Sequence, residues 1–553
     1  MKFSKSKLYL FLLLAGIILF LGISFEGSDD IYDRINRNLE MFGKAYREVS
    51  LNYVDEIDID RFMRAGVEGM MSTLDPYTVF YDKTNKDEID LITTGKYGGI
   101  GVTIGLRDSL IIITDIMNGY EAQKKGLRKG DRILNINGIT VAGQRIEAIR
   151  MMVRGTVGST LNLQVQRENE TLSFELTRQE IILNNISYYG FIGDEADGIA
   201  YIKLDRFTNI AENEFENAIR TLKAKNKINS LIFDLRNNGG GLLESSIGIL
   251  NKLVAKNSLL LITKGRKKDS EIKYFSKEEP LIDKSVPLVV LVNKHTASAS
   301  EIVAGAIQDL DRGVILGGKT FGKGLVQQVR ELTNDAKLKI TLSRYFTPSG
   351  RWIQEKNYFK ENKFGVFINK EIFSQSEFKT LNGRKVMAFG GIAPDVEVNT
   401  EPESEILDAL IAKDVLFKFG NYYLEKNPGT KIFVCTEGIF NEFKDFLKSS
   451  GFLYKSETGK KFDEIKKSLE GKNAPSDFFL YLNKAVTELE NYESGDIDKA
   501  KEEIMRNLEE EINKRLVSEK EQIETAFPRD IQLQKALNLL KNSSEYYRIL
   551  QVL

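Results

Sequence analysis

The chain has 553 residues, of which 42% are hydrophobic and 28% charged, so it can bury several cores, and its length points to three or four domains. Its 78 Lys plus Arg against 79 Asp plus Glu give a formal net charge of -1, which argues against a surface built to neutralise nucleic-acid phosphates. One cysteine, Cys435, and one histidine, His295, exclude an intramolecular disulfide and cysteine-built metal sites, and a hydrolase here must find a general base other than histidine. Neither a metal nor a cofactor is expected.

Lys2, Lys5 and Lys7 precede an uncharged run, Leu8 to Ser24, which Glu26, Asp29 and Asp30 follow. This pattern reads as a membrane anchor over residues 1–28, with a cytoplasmic N-terminus and an exported remainder. Cleavage after Gly22 or Ser24, which would release the rest as a secreted or periplasmic protein, is the alternative. Residues 29–90 read as helical, with Ile35, Leu39, Phe42, Tyr46, Phe62, Val67 and Met70 at helical spacing up to a turn at Leu74 to Thr78. Residues 91–180 hold short β-rich runs, Ile111 to Thr114, Ile133 to Ile136, Leu161 to Val165 and Leu172 to Leu176, with a turn at Asn137 and Gly138.

From residue 181 to 400 strands alternate with amphipathic helices: Ile199 to Leu204, then helix Ala211 to Lys225; Ser230 to Leu235, then helix Leu242 to Leu253; Leu288 to Val292, then helix Ala299 to Leu310. The β-branched strands predict a sheet covered on both faces. Residues 401–553 are helical and charged, with an apolar stripe at Ile504, Leu508, Ile512 and Leu516 that suits dimerisation, docking on the catalytic part or recruitment of an adaptor.

Four glycine- or serine-bearing segments could carry chemistry or binding. At residues 293–301 a buried strand gives way to a small-residue turn that opens a helix, a geometry that can place the Ser298 oxygen beside helix-terminal N–H groups. The competing reading is structural, because Ser298-x-x-Glu301 also matches a capping box. Residues 317–328 add Lys319 and Lys323 among glycines, and a desolvated lysine can lose its proton near neutrality and activate a serine. Gly313 to Thr320 also satisfies the P-loop pattern, yet Val314 to Leu316 read as a strand where the phosphate loop belongs. A serine–histidine pairing with His295 is disfavoured, since so short a link rarely aims an imidazole at Ser298. Asp234 and Glu301 read as a structural partner and a cap. The Asn237 to Leu242 turn offers N–H groups for an oxyanion. Gly99, Ile100, Gly101 and Val102 offer a nest of N–H groups for a peptide's terminal carboxylate.

Together these pieces resemble the carboxyl-terminal processing peptidases, or tail-specific proteases, over residues 30 to 400. The resemblance rests on Leu74 to Thr78, Gly99 to Val102, Lys129 to Gly138, Asp234 to Leu242, Thr296 to Glu301, Phe321 to Gln327, Tyr345 to Arg351 and Gly390 to Asp395. It implies an α/β and α+β multidomain protein: a PDZ domain at 91–180, a ClpP/crotonase-like α/β serine protease core at 181–400, an N-terminal membrane helix and a helical extension at 401–553.

It further implies Ser298 as nucleophile, Lys323 as general base and Gln327 orienting the lysine from one helical turn away. Ala299 and either Gly240 or Gly241 would form the oxyanion hole. Gly239 stands where the family usually has proline. The implied activity is a serine endopeptidase, tethered to the inner membrane on the periplasmic side, that takes polypeptides by apolar carboxyl-terminal tails. The rival reading is a membrane-tethered PDZ scaffold that binds polypeptides without cutting them.

Overall fold

The structure is a computed structural model that describes residues 31–82, 87–107, 110–167, 170–267, 269–333, 336–358, 366, 376–398, 404–469 and 476–552. The expected membrane helix at residues 1–28 lies outside them. Among the described residues no helix is long and apolar enough to cross a membrane. Two compact units divide the chain, residues 1–80 with 362–368, and residues 81–361 with 369–553.

In the first unit the helical stretch expected from Asp30 to Met71 is two helices, Ile31–Asn52 and Ile59–Met71. The break falls where Asp58 takes an extended conformation and accepts the Arg61 N–H, an N-cap that starts the second helix afresh. Tyr46 stacks on Phe62 with ring centroids 5.4 Å apart and donates its hydroxyl to the Ile59 carbonyl, which closes the helical hairpin. The Leu74 to Thr78 turn is held by Asp75, whose Oδ1 accepts the N–H groups of Tyr77 and Thr78.

The second unit begins with a β-rich module. Strands Val102–Arg107, Leu110–Ile116, Arg132–Ile136, Thr160–Arg167 and Glu170–Thr177 pair in that order, and Ile139–Thr140 adds to Arg132–Ile136. Alternate residues Ile111, Ile113, Ile133, Leu161, Leu163 and Val165 point inward against Ile149 of helix Ile146–Val153. Val102–Arg107 is left at the edge of the sheet, so one of its flanks is unpaired by any other strand of it.

The next sheet contains Ile186–Phe191, Ile199–Leu204, Ser230–Asp234, Leu288–Val292, Val314–Gly317 and Val396–Glu397, in that order. The pairings from Ile199–Leu204 onward are parallel, and the first strand is antiparallel. Parallel strands need crossovers, and helices Ala211–Lys225, Leu243–Asn251 and Ala299–Asp309 supply them. These helices bury Leu231, Phe233, Val290 and Val292 on one face. Intervening residues Tyr201, Ile232, Val289, Leu291, Val314 and Leu316 point to the opposite face, which is covered by Leu533, Ala536, Leu539, Tyr546 and Leu550 from helices Ile531–Lys541 and Ser543–Ile549. The expected two-sided cover exists, and its second layer comes from the far end of the chain. Each fully buried Leu there contributes about 1.5–3 kcal/mol.

Two features depart from the expected pattern. A long hairpin, Leu325–Thr333 with Ala336–Phe346, follows the Lys323 segment and pairs onward with Leu259–Gly265. The helical extension also has two parts. Helices Glu405–Ala412, Val415–Lys426, Glu437–Ser449 and Lys501–Leu516 close around a core of their own that includes Leu410, Phe419, Phe440, Phe443, Ile504, Leu508 and Ile512, whereas the helices after 530 pack on the sheet. The whole is a mixed α/β multidomain protein with a helical C-terminal region.

Candidate active site

Leu288–Val292 runs buried through the sheet centre and ends at Asn293, whose Oδ1 accepts the His295 and Asn237 N–H groups. Thr296 Oγ1 donates to the Leu235 carbonyl and fixes the far end of this loop. Ser298 then adopts φ 56 and ψ -114 and opens helix Ala299–Asp309, in which every residue is buried. An ordinary N-cap is extended with negative φ. A serine held at positive φ carries backbone strain of about 1–3 kcal/mol, and such strain is concentrated where a side chain must be aimed. Ser298 itself is half-buried, between buried neighbours Ala297 and Ala299.

Of the capping-box pattern read from Ser298 and Glu301, the Glu301 half is realised and does more than cap, whereas the Glu301 N–H goes to the Ser298 backbone carbonyl. Glu301 is fully buried and accepts four hydrogen bonds. Its Oε2 takes the Ser298 N–H at 2.8 Å and the Lys323 N–H at 2.9 Å, and its Oε1 takes the Gly322 N–H at 2.7 Å and the Thr320 hydroxyl at 2.6 Å. One carboxylate therefore ties the serine turn to the lysine loop, and the backbones of Ser298 and Lys323 hang from the same oxygen. Burial pushes the Glu301 pKa above the usual carboxylate value against the pull of these donors. Tyr345, its hydroxyl donated to the Ser298 carbonyl at 3.2 Å, is held far from ionisation by burial and then by Glu301.

Lys323 lies half-buried in the loop before the hairpin. Its neighbour Gly324 is gripped by Gln354 Oε1, which accepts its N–H, and by Trp352 Nε1, which donates to its carbonyl at 2.9 Å. A Cβ at Gly324 would lie 2.5 Å from that indole nitrogen, so the loop needs glycine. Gln327 is not one helical turn from the lysine: it sits in strand Leu325–Thr333, in register with Thr341, and its Nε2 donates to Thr341 Oγ1 at 3.1 Å. The ladder with Ala336–Phe346 fixes an extended backbone at Gln327, so strand geometry stands where a helical turn was expected. The same extended backbone removes the P-loop reading, since no helix follows Thr320.

Across from Ser298 lies the Asn237 to Gly241 turn. Asn238 is fully buried. Its carbonyl accepts the Ala297 N–H at 3.0 Å and the Ser300 hydroxyl at 3.0 Å, and its side chain accepts the Gly240 N–H and donates to the Leu204 carbonyl. Gly240, at φ 98, lies directly against the Ser298 turn: a Cβ there would sit 2.9 Å from both Ala299 N and Ser298 Cβ. Gly241 forms a bridge with Phe207. Among the described residues the Ala299 and Gly241 N–H groups have no acceptor. Asp234, at the end of its strand, is buried and takes the Tyr201 hydroxyl at 2.7 Å and the Arg236 guanidinium at 2.5 Å. Burial alone would raise its pKa, but the Arg236 charge and these hydrogen bonds hold it below the usual carboxylate range.

His295 is exposed, and Lys319 is exposed with Glu355 3.7 Å away. In the β-rich module Gly101, at φ 80, turns the Gly99 to Val102 segment into the edge strand, and its carbonyl accepts the Met117 N–H. Among the described residues the Ile100 and Gly101 N–H groups have no acceptor. The sequence includes Asn238 in its turn and Tyr345 in a family motif but gives neither a role, and it does not show the bridging role of Glu301. A glutamate that caps one loop gives no sign that it also holds a second loop some twenty residues on.

The sequence matches the model of Peptidase family S41 over residues 198–362, that of the PDZ domain over 98–177, and that of the probable PDZ-protease C-terminal helical domain over 406–540. It is 33% identical over 327 residues to the carboxy-terminal processing protease CtpB of Bacillus subtilis, covering 58% of this chain and 66% of that protein. It is 32% identical over 323 residues to a carboxy-terminal-processing protease of Bartonella bacilliformis, covering 58% of this chain and 73% of that protein. Among solved structures, a photosystem II D1 C-terminal processing protease aligns with 25% identity and a TM-score of 0.37, covering 66% of this chain and 93% of that one. With a PDZ domain beside an S41 peptidase domain, and that identity across most of the Bartonella protein's length, the chain belongs to the carboxy-terminal processing proteases, a family of serine-type peptidases.

Proposed function

We propose that this chain is a serine endopeptidase that captures exported polypeptides by an apolar carboxyl-terminal tail and cuts them with Ser298 and Lys323. The observation that carries the reading is the Glu301 carboxylate, whose single Oε2 accepts the N–H groups of both residues. A purely structural cap has no need of the second bond.

In the proposed reaction the tail adds as a strand to the edge Val102–Arg107, with its terminal carboxylate on the N–H groups of the Gly99 to Val102 nest. The Lys323 amine, in its neutral form, takes the proton of the Ser298 hydroxyl as its oxygen attacks the scissile carbonyl. Ala299 N–H and the Gly240–Gly241 turn stabilise the tetrahedral oxyanion, Gly240 by its closeness to Ser298 and Gly241 by an N–H with no acceptor among the described residues. The ammonium then returns the proton to the leaving amine, and water, deprotonated by the same amine, releases the acyl group. Gln327, anchored to Thr341, steadies the strand that continues from the lysine loop. The charge pattern before Leu8 supports export with the catalytic part on the periplasmic side, either anchored in the inner membrane or released by cleavage.

Digestion of casein and of a peptide with an apolar carboxyl terminus tests this reading. Cleavage by the parent, lost in both Ser298→Ala and Lys323→Ala, supports it. Parent-like cleavage by Ser298→Ala removes the nucleophile assignment, and binding of the tail peptide without any cleavage by the parent leaves the scaffold reading in its place.

A further inference from the structure

We propose that residues 519–549 are a working part of the peptidase domain, and that Asp530 is a positioning residue which holds the oxyanion turn through Arg236. This rests on the peptidase reading above and assigns a role to a segment otherwise grouped with the helical extension.

Arg236 lies two residues beyond Asp234, the end of its strand, and directly precedes the Asn237 to Gly241 turn. Its inner edge is paired with Asp234, Nε at 3.0 Å from both carboxylate oxygens and Nη2 at 2.5 Å. Its outer edge is taken by the last helices: Nη1 donates to Asp530 Oδ1 at 2.9 Å and to Gln532 Oε1 at 3.2 Å, and Nη2 donates to Asp530 Oδ2 at 2.6 Å. The guanidinium is thus clamped between two carboxylates, a bidentate geometry that fixes orientation as well as charge. From it the backbone runs one residue to Asn237, pinned by Asn293, and two to Asn238, which holds Gly240, Ala297 and Ser300.

Asp530 is itself immobilised. Its Oδ1 also accepts the Leu533 N–H and so caps the helix that lays Leu533, Ala536 and Leu539 on the sheet. Before it, Phe527 packs edge-on against Tyr188 and Tyr201, each 5.3 Å away. After it, the Tyr546 hydroxyl accepts the Leu288 N–H at 2.9 Å and donates to the Leu288 carbonyl at 3.1 Å, gripping the strand that leads to Ser298. The terminal helices therefore touch the root of the turn after Arg236 and the start of the strand that runs on to Asn293. Since the Asp234–Arg236 pair is balanced without Asp530, losing that one charge should loosen the turn without unfolding the sheet.

The test uses the full chain with Asp530→Asn, which keeps the helix cap and removes the charge, and Asp530→Ala, which removes both. Steady-state cleavage of the apolar-tailed peptide, thermal melting, and hydrogen exchange across residues 235–242 are measured together. The expected result for Asp530→Asn is a kcat at least about ten-fold lower with KM unchanged, faster exchange confined to that turn, and a melting curve close to the parent's. A parent-like kcat in both variants, unchanged exchange in the turn, or a loss of rate that only follows the unfolded fraction overturns the proposal. If the parent itself cleaves no peptide, the peptidase reading falls instead, and exchange in the turn alone decides whether Asp530 holds it.

Discussion

The two faces of the central sheet are covered in opposite ways. On one face the helices are the crossovers between consecutive strands, so each lies close in sequence to what it covers, and one of them begins at Ser298. On the other face the cover comes from residues 527–550, more than two hundred positions after the strand that leads to Ser298. The first face carries the candidate site, and the second is covered by apolar packing. Changes at Ser298 and changes to the apolar residues of the second layer should therefore separate loss of rate from loss of stability.

The largest effect is expected on the first face. Ser298→Ala should lower cleavage by about a thousand-fold or more while the melting temperature stays near the parent's. A variant that melts much earlier would show that the serine turn is a structural element, and the contrast between the faces would fail. Glu301→Gln keeps the size of the side chain but replaces an acceptor oxygen with a donor, leaving N–H groups of the two loops unpaired in a buried site. A destabilisation of about 1–3 kcal/mol is expected together with a larger fall in kcat than in peptide affinity. Equal changes in both parameters would argue against its role in joining the loops.

On the second face Leu539→Ala should cost about 2–5 kcal/mol in denaturant unfolding, while molecules that remain folded keep their kcat, because Leu539 is far along the helix from Asp530. A fall in kcat without loss of stability would reverse the assignment of the faces. Between them lies Asp234. Its folded pKa is depressed, so its stabilising contribution is present above the unfolded carboxylate value near 3.9 and is lost as pH falls through the folded value. Unfolding midpoints taken from pH 6 to pH 3 should fall more steeply for the parent than for Asp234→Asn, and parallel curves would remove the ion pair from the account. The smallest effect concerns the helical core outside both faces. Cys435 is buried and its thiol pushed up to about 11 by burial and then by Glu437, so it should resist alkylation at pH 8 until the protein is unfolded.

What the sequence makes legible follows the same division. Strand Ile199–Leu204 and helix Ala211–Lys225 are read to the residue because their periods of 2 and 3.6 are local properties. The hairpin Leu325–Thr333 with Ala336–Phe346 is not, because Arg330, Glu331, Lys337 and Lys339 interrupt any apolar stripe, and without it Gln327 reads as helical. Ser298 and Lys323 stand out as a pair through the family resemblance, whereas Asn238 and Asp530 are ordinary polar residues whose partners are chosen by tertiary packing alone. The charged helices after residue 400 look like one extension, and nothing in their composition separates the part with its own core from the part that completes the sheet.

The late position of that second layer has a consequence for biosynthesis. While the protein is being made, the strands through Val314–Gly317 and the helix that opens at Ser298 emerge well before residues 527–550. Until those last helices arrive, Ile232, Val289 and Leu291 face water and the Arg236 guanidinium lacks its outer carboxylate. A nascent chain thus carries Ser298 and Lys323 before it carries the helices that cover this face of the sheet.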